Sequence, residues 1–397
     1  MSIQCFEDLP LSMEVLKSID ELGFEKLFPI QAQAILPLLD GKDVIGQART
    51  GTGKTAAFGV PMVERINPKN NNVQGLVLVP TRELAIQVAK HIKCFAKHRQ
   101  LRTLPVYGGE PIHRQIKELS RGIHIVVGTP GRTIDLIQRG KLNLSTIKIV
   151  VLDEADRMLD MGFIEDIDHI LSKTPSNRQT SLFSATIDRN VIKICNKYMK
   201  KPEKILVSKD EIALTQMKQF YMLVNPYNKF EVLIDILEKN RIYRAIIFCK
   251  TRRGTSKLSD KLRRAGYNSR ALHAGFTQSQ RNRVINEFRD GKLELLTATD
   301  VASRGLDIQG ITHIINFDVP MEAPVYFHRI GRTARMGRKG IAMTLFTKQD
   351  LHKLKTVIDS NKIQPVWQGK EPDLKHISHR RKTSRRPSRN FRPRRRK

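Results

Sequence analysis

Eight consecutive residues, Ala48, Arg49, Thr50, Gly51, Thr52, Gly53, Lys54 and Thr55, combine the types that phosphate chemistry needs. Glycines let backbone N–H groups close around phosphate oxygens, Lys54 brings a point charge to the β and γ phosphates, and the Thr55 hydroxyl is placed for Mg²⁺. Ninety-nine residues beyond Lys54, an apolar run ends in Asp153, Glu154, Ala155 and Asp156. An acidic residue at the carboxyl end of a buried strand beside a phosphate loop is where a further Mg²⁺ contact belongs, and the carboxylate after it can orient or deprotonate a water. Alone, such an acidic run reads as a helix N-terminus. Paired with the loop, it reads as a site of nucleoside triphosphate hydrolysis.

Other polar groups punctuate the chain in similar settings: Pro80, Thr81 and Arg82; Gly108 and Gly109; Thr129, Pro130, Gly131 and Arg132; Ser184 and Thr186. Each alone can be helix-capping chemistry. The second half has no phosphate loop, but carries Thr299, Asp300, Arg304, Gly305 and Asp307, then His328, Arg332 and Arg335. Arginines three apart on a helix reach one charged ligand together, and a site with Lys54 but no arginine of its own calls for a finger from a facing lobe.

The elements that must position these groups are short β-branched runs alternating with stretches of helical spacing. The runs cover residues 43–46, 75–79, 123–127, 147–152 and 180–183, then 244–249, 293–297, 311–316 and 341–346. Continuously apolar strands between helices predict parallel sheets covered on both faces, hence two doubly wound α/β lobes. The expected division is a first lobe over 1–207, a polar linker over 208–216, a second lobe over 217–365 and a disordered, basic tail over 366–397, where apolar periodicity stops.

Composition narrows the partners. The 397 residues carry 70 Lys plus Arg against 39 Asp plus Glu, a net charge of +31. By segment this is 29 against 22 over residues 1–207, 30 against 17 over 208–375, and 11 against none over 376–397. Such an excess in a folding chain faces a polyanion, and nucleic acid is the expected one. There is no apolar run long enough for a membrane span and no basic or apolar leader at the start, so no membrane association is expected. The four cysteines, Cys5, Cys94, Cys195 and Cys249, form no C-x-x-C pair, which predicts neither zinc nor disulfides and fits a reducing cytoplasm.

Taken in order, these segments resemble the DEAD-box ATP-dependent RNA helicases of helicase superfamily 2, over nearly the whole chain to about residue 365. The resemblance implies two tandem RecA-like lobes and an RNA-dependent ATPase that uses ATP and Mg²⁺ to unwind short duplexes or remodel RNA–protein complexes. Residues 23–31 resemble the family's Q motif, with Gln31 implied to read the adenine edge and Phe24 to stack on the base; Leu27 and Phe28 stand where the family usually carries Pro and a small hydroxyl residue. Asp153 is implied to hold Mg²⁺ and Glu154 to be the general base. Gly305 and Asp307 are implied to touch ribose and phosphates, and Arg332 and Arg335 to stabilise transition-state charge. Asp156, Ser184, Thr186 and His328 are implied to couple hydrolysis to strand separation.

RNA contacts are implied for Pro80, Thr81, Arg82, Gly109, Thr129, Pro130, Gly131 and Arg132 in the first lobe, and for Thr251, Arg252, Gln278, Arg281, Thr299, Asp300 and Arg304 in the second. Hydroxyls, glycines and arginines read phosphates and 2′-hydroxyls, so binding independent of base sequence is expected, to single strands and short duplexes. Two alternatives remain at this point: an ATP-gated RNA clamp or annealing factor with little unwinding, and a DNA helicase of a related group.

Overall fold

The structure, a computed structural model, describes residues 4–48, 52–207, 217–300, 308, 310–320, 322–333, 340–361, 363 and 365–374. Seven strands form the first sheet: β1 (Val44–Gln47), β2 (Gly75–Leu78), β3 (Thr103–Val106), β4 (Ile125–Gly128), β5 (Ile149–Asp153), β6 (Gln179–Ser184) and β7 (Glu203–Leu206). Their order is β3-β4-β2-β5-β6-β1-β7, and every pair is parallel. The second sheet holds β8 (Met217–Leu223), β9 (Ala245–Phe248), β10 (Ser269–Leu272), β11 (Leu295–Ala298), β12 (His313–Asn316), β13 (Gly340–Phe346) and β14 (Val366–Gln368). Its order, β10-β11-β9-β12-β13-β8-β14, repeats the first with each strand advanced by seven, again all parallel.

Both faces of each sheet are buried, which explains why the central strands are apolar at every position. In β5, Ile149 and Val151 enter one core while Val150 and Leu152 enter the core on the opposite face. In β9, Ile246 and Phe248 face one layer, and Ala245 and Ile247 the other. Side chains alternate across a strand, so only a sheet sandwiched between helices asks for this pattern. The helices follow the same logic: Arg82–Phe95 buries Leu84, Ala85, Val88, Ala89, Ile92 and Phe95 as one stripe, and the Thr81 hydroxyl accepts from Leu84 N at 3.3 Å to cap it.

The nine strands expected from apolar runs are all present. Those not expected are β3, β7, β10 and β14 at the sheet edges, and β8 next to an edge. Glu203–Leu206 and Ser269–Leu272 mix polar and apolar residues because an edge strand has partners on one side only.

One boundary needs correction. Residues 366–368 were expected to begin a disordered tail, yet they pair with β8, and Trp367 packs on Tyr221 and Phe346 at ring-centroid distances of 5.7 and 6.0 Å. A three-residue strand anchored by one aromatic is too short to leave a periodic signal. The linker 208–216 and the Arg-rich stretch from residue 375 onward lie outside the described residues.

Candidate active site

Because all strands are parallel, the loops at their carboxyl ends gather along one edge of each sheet. β1 delivers the phosphate-type loop there. Ala48 N donates to Ser184 O at 3.0 Å and the Gln47 amide donates to Ala185 O at 3.1 Å, tying the start of the loop to the end of β6. The loop closes at Gly53, with φ +87°, and a Cβ there would lie 2.3 Å from Gln31 Nε2. Backbone conformation and space both demand glycine at this point. Lys54 then opens the helix Lys54–Arg65, buried, with its ammonium donating to Ala48 O at 2.9 Å across the loop. Thr52 and Thr55 flank this turn; Thr50 and Gly51 fall outside the described residues.

The Q-motif residues sit differently from expectation. The Gln31 amide donates to Gly53 O at 3.1 Å and accepts from Phe28 N at 2.8 Å, so it braces the loop that Gly53 closes. Phe24, expected to stack on adenine, instead packs half-buried between Phe6 and Phe95, at centroid distances of 6.0 and 6.3 Å.

β5 ends in Asp153, and the chain turns at once through Glu154, whose φ of 53° and ψ of 48° are left-handed. A non-glycine residue in this region stores strain, a frequent mark of functional sites. The turn leaves both carboxylates buried, Asp153 being 3% and Glu154 4% exposed. Burial pushes the Asp153 carboxyl up to about 6, opposed by Lys54. Burial alone would raise Glu154 too, but Arg157, Lys54, Arg332 and His328 hold it down to about 2, ionised at neutral pH. Arg157 forms an ion pair with Glu154. Asp156 joins β5 to β6: its carboxylate accepts from Thr186 N and Thr186 Oγ1, both at 3.0 Å, while its own N–H donates to Ser184 Oγ at 3.3 Å.

The second lobe faces this cluster with His328, from the helix Ala323–Ile330, and with Arg332 just beyond it. Burial and then Arg157 push the His328 imidazole down to about 4, with Asp156 and Glu154 opposing. Arg332 is 3% exposed, and its Nε donates to His328 O at 3.1 Å. A cation from each lobe therefore converges on one carboxylate. Arg335, Arg304, Gly305 and Asp307 lie outside the described residues.

A second contact between the lobes involves residues expected to touch RNA. Arg82 donates to Gln278 Oε1 at 3.1 Å, and Arg281 donates to Glu83 at 2.8 Å. Burial lowers the Arg82 guanidinium, with Glu83 opposing and Arg281 and Arg132 adding to the depression, so three arginines share this region. Gly109, at φ +79°, lies so close that a Cβ would sit 1.8 Å from Arg82 Nη1. Arg132 reaches Glu110 O at 3.1 Å from the helix Pro130–Gln138, which Thr129 and Pro130 begin and Gly131 continues.

Other expected contacts are committed locally. The Thr81 and Thr251 hydroxyls cap their helices, while Arg252 is exposed beside Thr251. Thr299 is buried. Asp300, expected at RNA, forms a bidentate pair with Arg329 at 2.5 and 2.9 Å. Arg329 is 2% exposed and lies 5.0 Å above the Phe248 ring, so an uncompensated charge there would be costly, and Asp300 supplies the counter-charge. Sequence reasoning passed over Arg157, Glu83 and Arg329. The i, i+3 spacing of Glu154 and Arg157 was a usable signal for the first; the other two depend on long-range packing.

Comparison with known proteins agrees with this geometry. The DEAD/DEAH box helicase family model matches residues 28–194, and that of the helicase conserved C-terminal domain matches residues 228–337. The DEAD-box ATP-dependent RNA helicase CshA of Geobacillus kaustophilus is 48% identical over 349 residues, 88% of this chain and 75% of that protein. The chain belongs to the DEAD-box ATP-dependent RNA helicase family. Another DEAD-box relative, CshA of Bacillus subtilis, is 45% identical over 93% of this chain and 74% of its own length. Among solved DEAD-box structures, S. cerevisiae Dbp5 bound to RNA and ADP BeF3 matches with a TM-score of 0.82 at 32% identity, over 92% of this chain and 95% of that one. A DEAD box protein from Methanococcus jannaschii matches with a TM-score of 0.56 at 40% identity, over 93% and 100%.

Proposed function

We propose that this chain is an RNA-dependent ATPase that binds single strands and short duplexes without regard to base sequence and separates short duplexes locally. The observation that carries the reading is the convergence of both lobes on Glu154: Arg157 and Lys54 approach it from the first lobe, Arg332 and His328 from the second. A site completed only by the facing lobe is active only when the lobes are together. Ligands that touch both lobes favour that state because of their extra contacts.

In this reading Lys54 and the loop N–H groups hold the phosphates, and ionised Glu154 orients the attacking water and accepts its proton. Arg332, with Arg335, stabilises charge on the transferred phosphoryl group. Asp153 and Thr55 would hold Mg²⁺: a buried carboxylate incompletely offset by Lys54 and a hydroxyl in the helix turn that follows the loop are the hard oxygen donors this ion takes, and when bound it supplies positive charge at the phosphate oxygens. The links from Asp156 to Ser184 and Thr186 carry a change at the phosphates to the end of β6. RNA lies along the Arg82, Gly109, Arg132, Gln278 and Arg281 region, where arginines and a bare backbone suit phosphates and 2′-hydroxyls. The free thiols at Cys5, Cys94, Cys195 and Cys249 fit a reducing, cytoplasmic setting.

The test is strand displacement from a short RNA duplex with ATP, with a non-hydrolysable analogue, and with neither. Displacement that requires a nucleotide, and turns over only with ATP, is expected. Equal displacement without nucleotide would refute ATP-dependent unwinding.

A further inference from the structure

The first lobe carries a second basic recess, at the edge of its sheet opposite the nucleotide loop. It is a cavity of about 620 Å³ lined by Lys42, Arg65, Lys148, Arg178, Lys200 and Lys201. These residues precede or flank the amino ends of β1, β5, β6 and β7, whereas Lys54, Asp153 and Ser184 lie at the carboxyl ends. With about 3.3 Å per strand residue, β5 alone places the two sites roughly 15 Å apart or more.

Two features distinguish this recess from a merely solvated basic surface. Two of its acidic neighbours are already engaged, since Asp43 accepts from Thr180 N at 2.7 Å and Lys200 N at 2.6 Å and Glu203 pairs with Lys42 at 2.7 Å, and Asp40, beside Lys42 and Arg65, leaves the six lining cations in excess. Arg178, only 8% exposed, donates from Nη1 to Pro175 O at 2.9 Å, while its Nε and Nη2 find no hydrogen-bond partner in the protein. The Tyr198 ring, 5.6 Å from the guanidinium carbon, gives this cation one neutral wall. Asp43 offsets part of the cost of burying this charge, but the two idle N–H groups still lack an acceptor, which is costly until one is supplied.

We infer that this recess binds phosphate groups, and that their source is RNA backbone extending beyond the cleft between the lobes. Cations from five separate chain segments suit a multivalent anion better than a single carboxylate, and arginine is suited to phosphate oxygens. Naming RNA as the source rests on the proposed function; the phosphate site itself does not.

The full chain is tested with fluorescent oligouridylates of about 10 and about 40 nucleotides, the shorter sufficing for one binding surface. The triple variant Lys148→Glu, Lys200→Glu, Lys201→Glu changes only exposed positions, and Arg178→Gln tests the buried group. Both are expected to weaken the long RNA about tenfold and to flatten its salt dependence by about two phosphate contacts, at roughly 0.7 in log–log slope per contact. Affinity for the short RNA and RNA-stimulated ATP turnover stay unchanged. A second arm titrates inorganic phosphate, with ADP filling the nucleotide loop, and follows the backbone amide resonances of Arg178, Gln179 and Lys201. Shifts there without any effect on long RNA would keep the site and make a free phosphate species its ligand. No shifts and an unaltered long-RNA affinity in the triple variant would overturn it, whatever the strand-displacement result.

Discussion

The two lobes are one architecture used twice, and their differences lie in the loops. After β2 and β9, which are equivalent strands, Thr81–Arg82 and Thr251–Arg252 stand in the same place, with the threonine capping the next helix in each. After β4 and β11, Thr129 N donates to Val106 O at 3.0 Å and Thr299 N donates to Leu272 O at 3.2 Å, again equivalent. After the first strand of each lobe the likeness ends. β1 leads into the loop of Gly53 and Lys54, whereas β8 leads into a short 3-10 turn, Pro226–Asn228, capped by Asn225. Strand order supplies a row of equivalent positions, and the residues placed there differ: one lobe carries the loop of Gly53 and Lys54, the other brings Arg332 and His328 to Glu154.

That division can be broken from either side. The largest effect is expected from Arg332→Ala, which removes a second-lobe cation at Glu154; an arginine finger is worth about 10³-fold or more in turnover. ATP binding to the first lobe should survive, as read by a fluorescent nucleotide, and normal turnover would refute the cross-lobe site. Glu154→Gln keeps the shape of the first-lobe base without its charge and should lower RNA-stimulated turnover by about 10²-fold or more with nucleotide binding retained.

Asp300→Ala tests the second lobe alone. Stranding buried Arg329 should cost about 3 kcal/mol, read as a lower melting midpoint. A loss of RNA affinity with unchanged melting would return Asp300 to the RNA surface. Glu83→Ala removes the contact to Arg281 and should weaken the closed state by about 1 kcal/mol, visible as a higher RNA concentration for half-maximal turnover.

The most specific effect concerns pH. With the lobes together His328 titrates near 4, well below its ordinary 6.5, so protons bind more readily when they are apart. Closure is fully favoured above about pH 6.5 and is lost as pH falls towards 4, by at most tenfold per unit for one proton. Arg157 and Arg332 disfavour the imidazolium, while Asp156 and Glu154 favour it. His328→Gln should flatten the dependence of inter-lobe distance on pH between 4 and 6.5, measured by energy transfer between labels on the two lobes.

Much of this was legible in the chain. The central strands announce themselves because a strand buried on both faces must be apolar throughout, and Gly53, Lys54, Asp153 and Glu154 stand where strands turn into helices. Edge strands were illegible because solvent on one side relaxes the pattern. The packing of Phe24 against Phe6 and Phe95 and the pairing of Asp300 with Arg329 were illegible for a related reason: residue type does not name the neighbours, and only the tertiary structure supplies them.

Local spacing therefore determined the phosphate loop, the acidic turn, the two-lobe plan and the basic character, since each depends on residues adjacent in sequence or on a repeating period. Tertiary structure decided what depends on groups far apart in the chain. It brings Arg332 to Glu154, Gln278 to Arg82 and Arg281 to Glu83, and it leaves Arg178 with idle N–H groups in a basic recess. Charge and hydrogen bonding act over a few ångströms, and no spacing rule fixes distances between residues nearly two hundred positions apart.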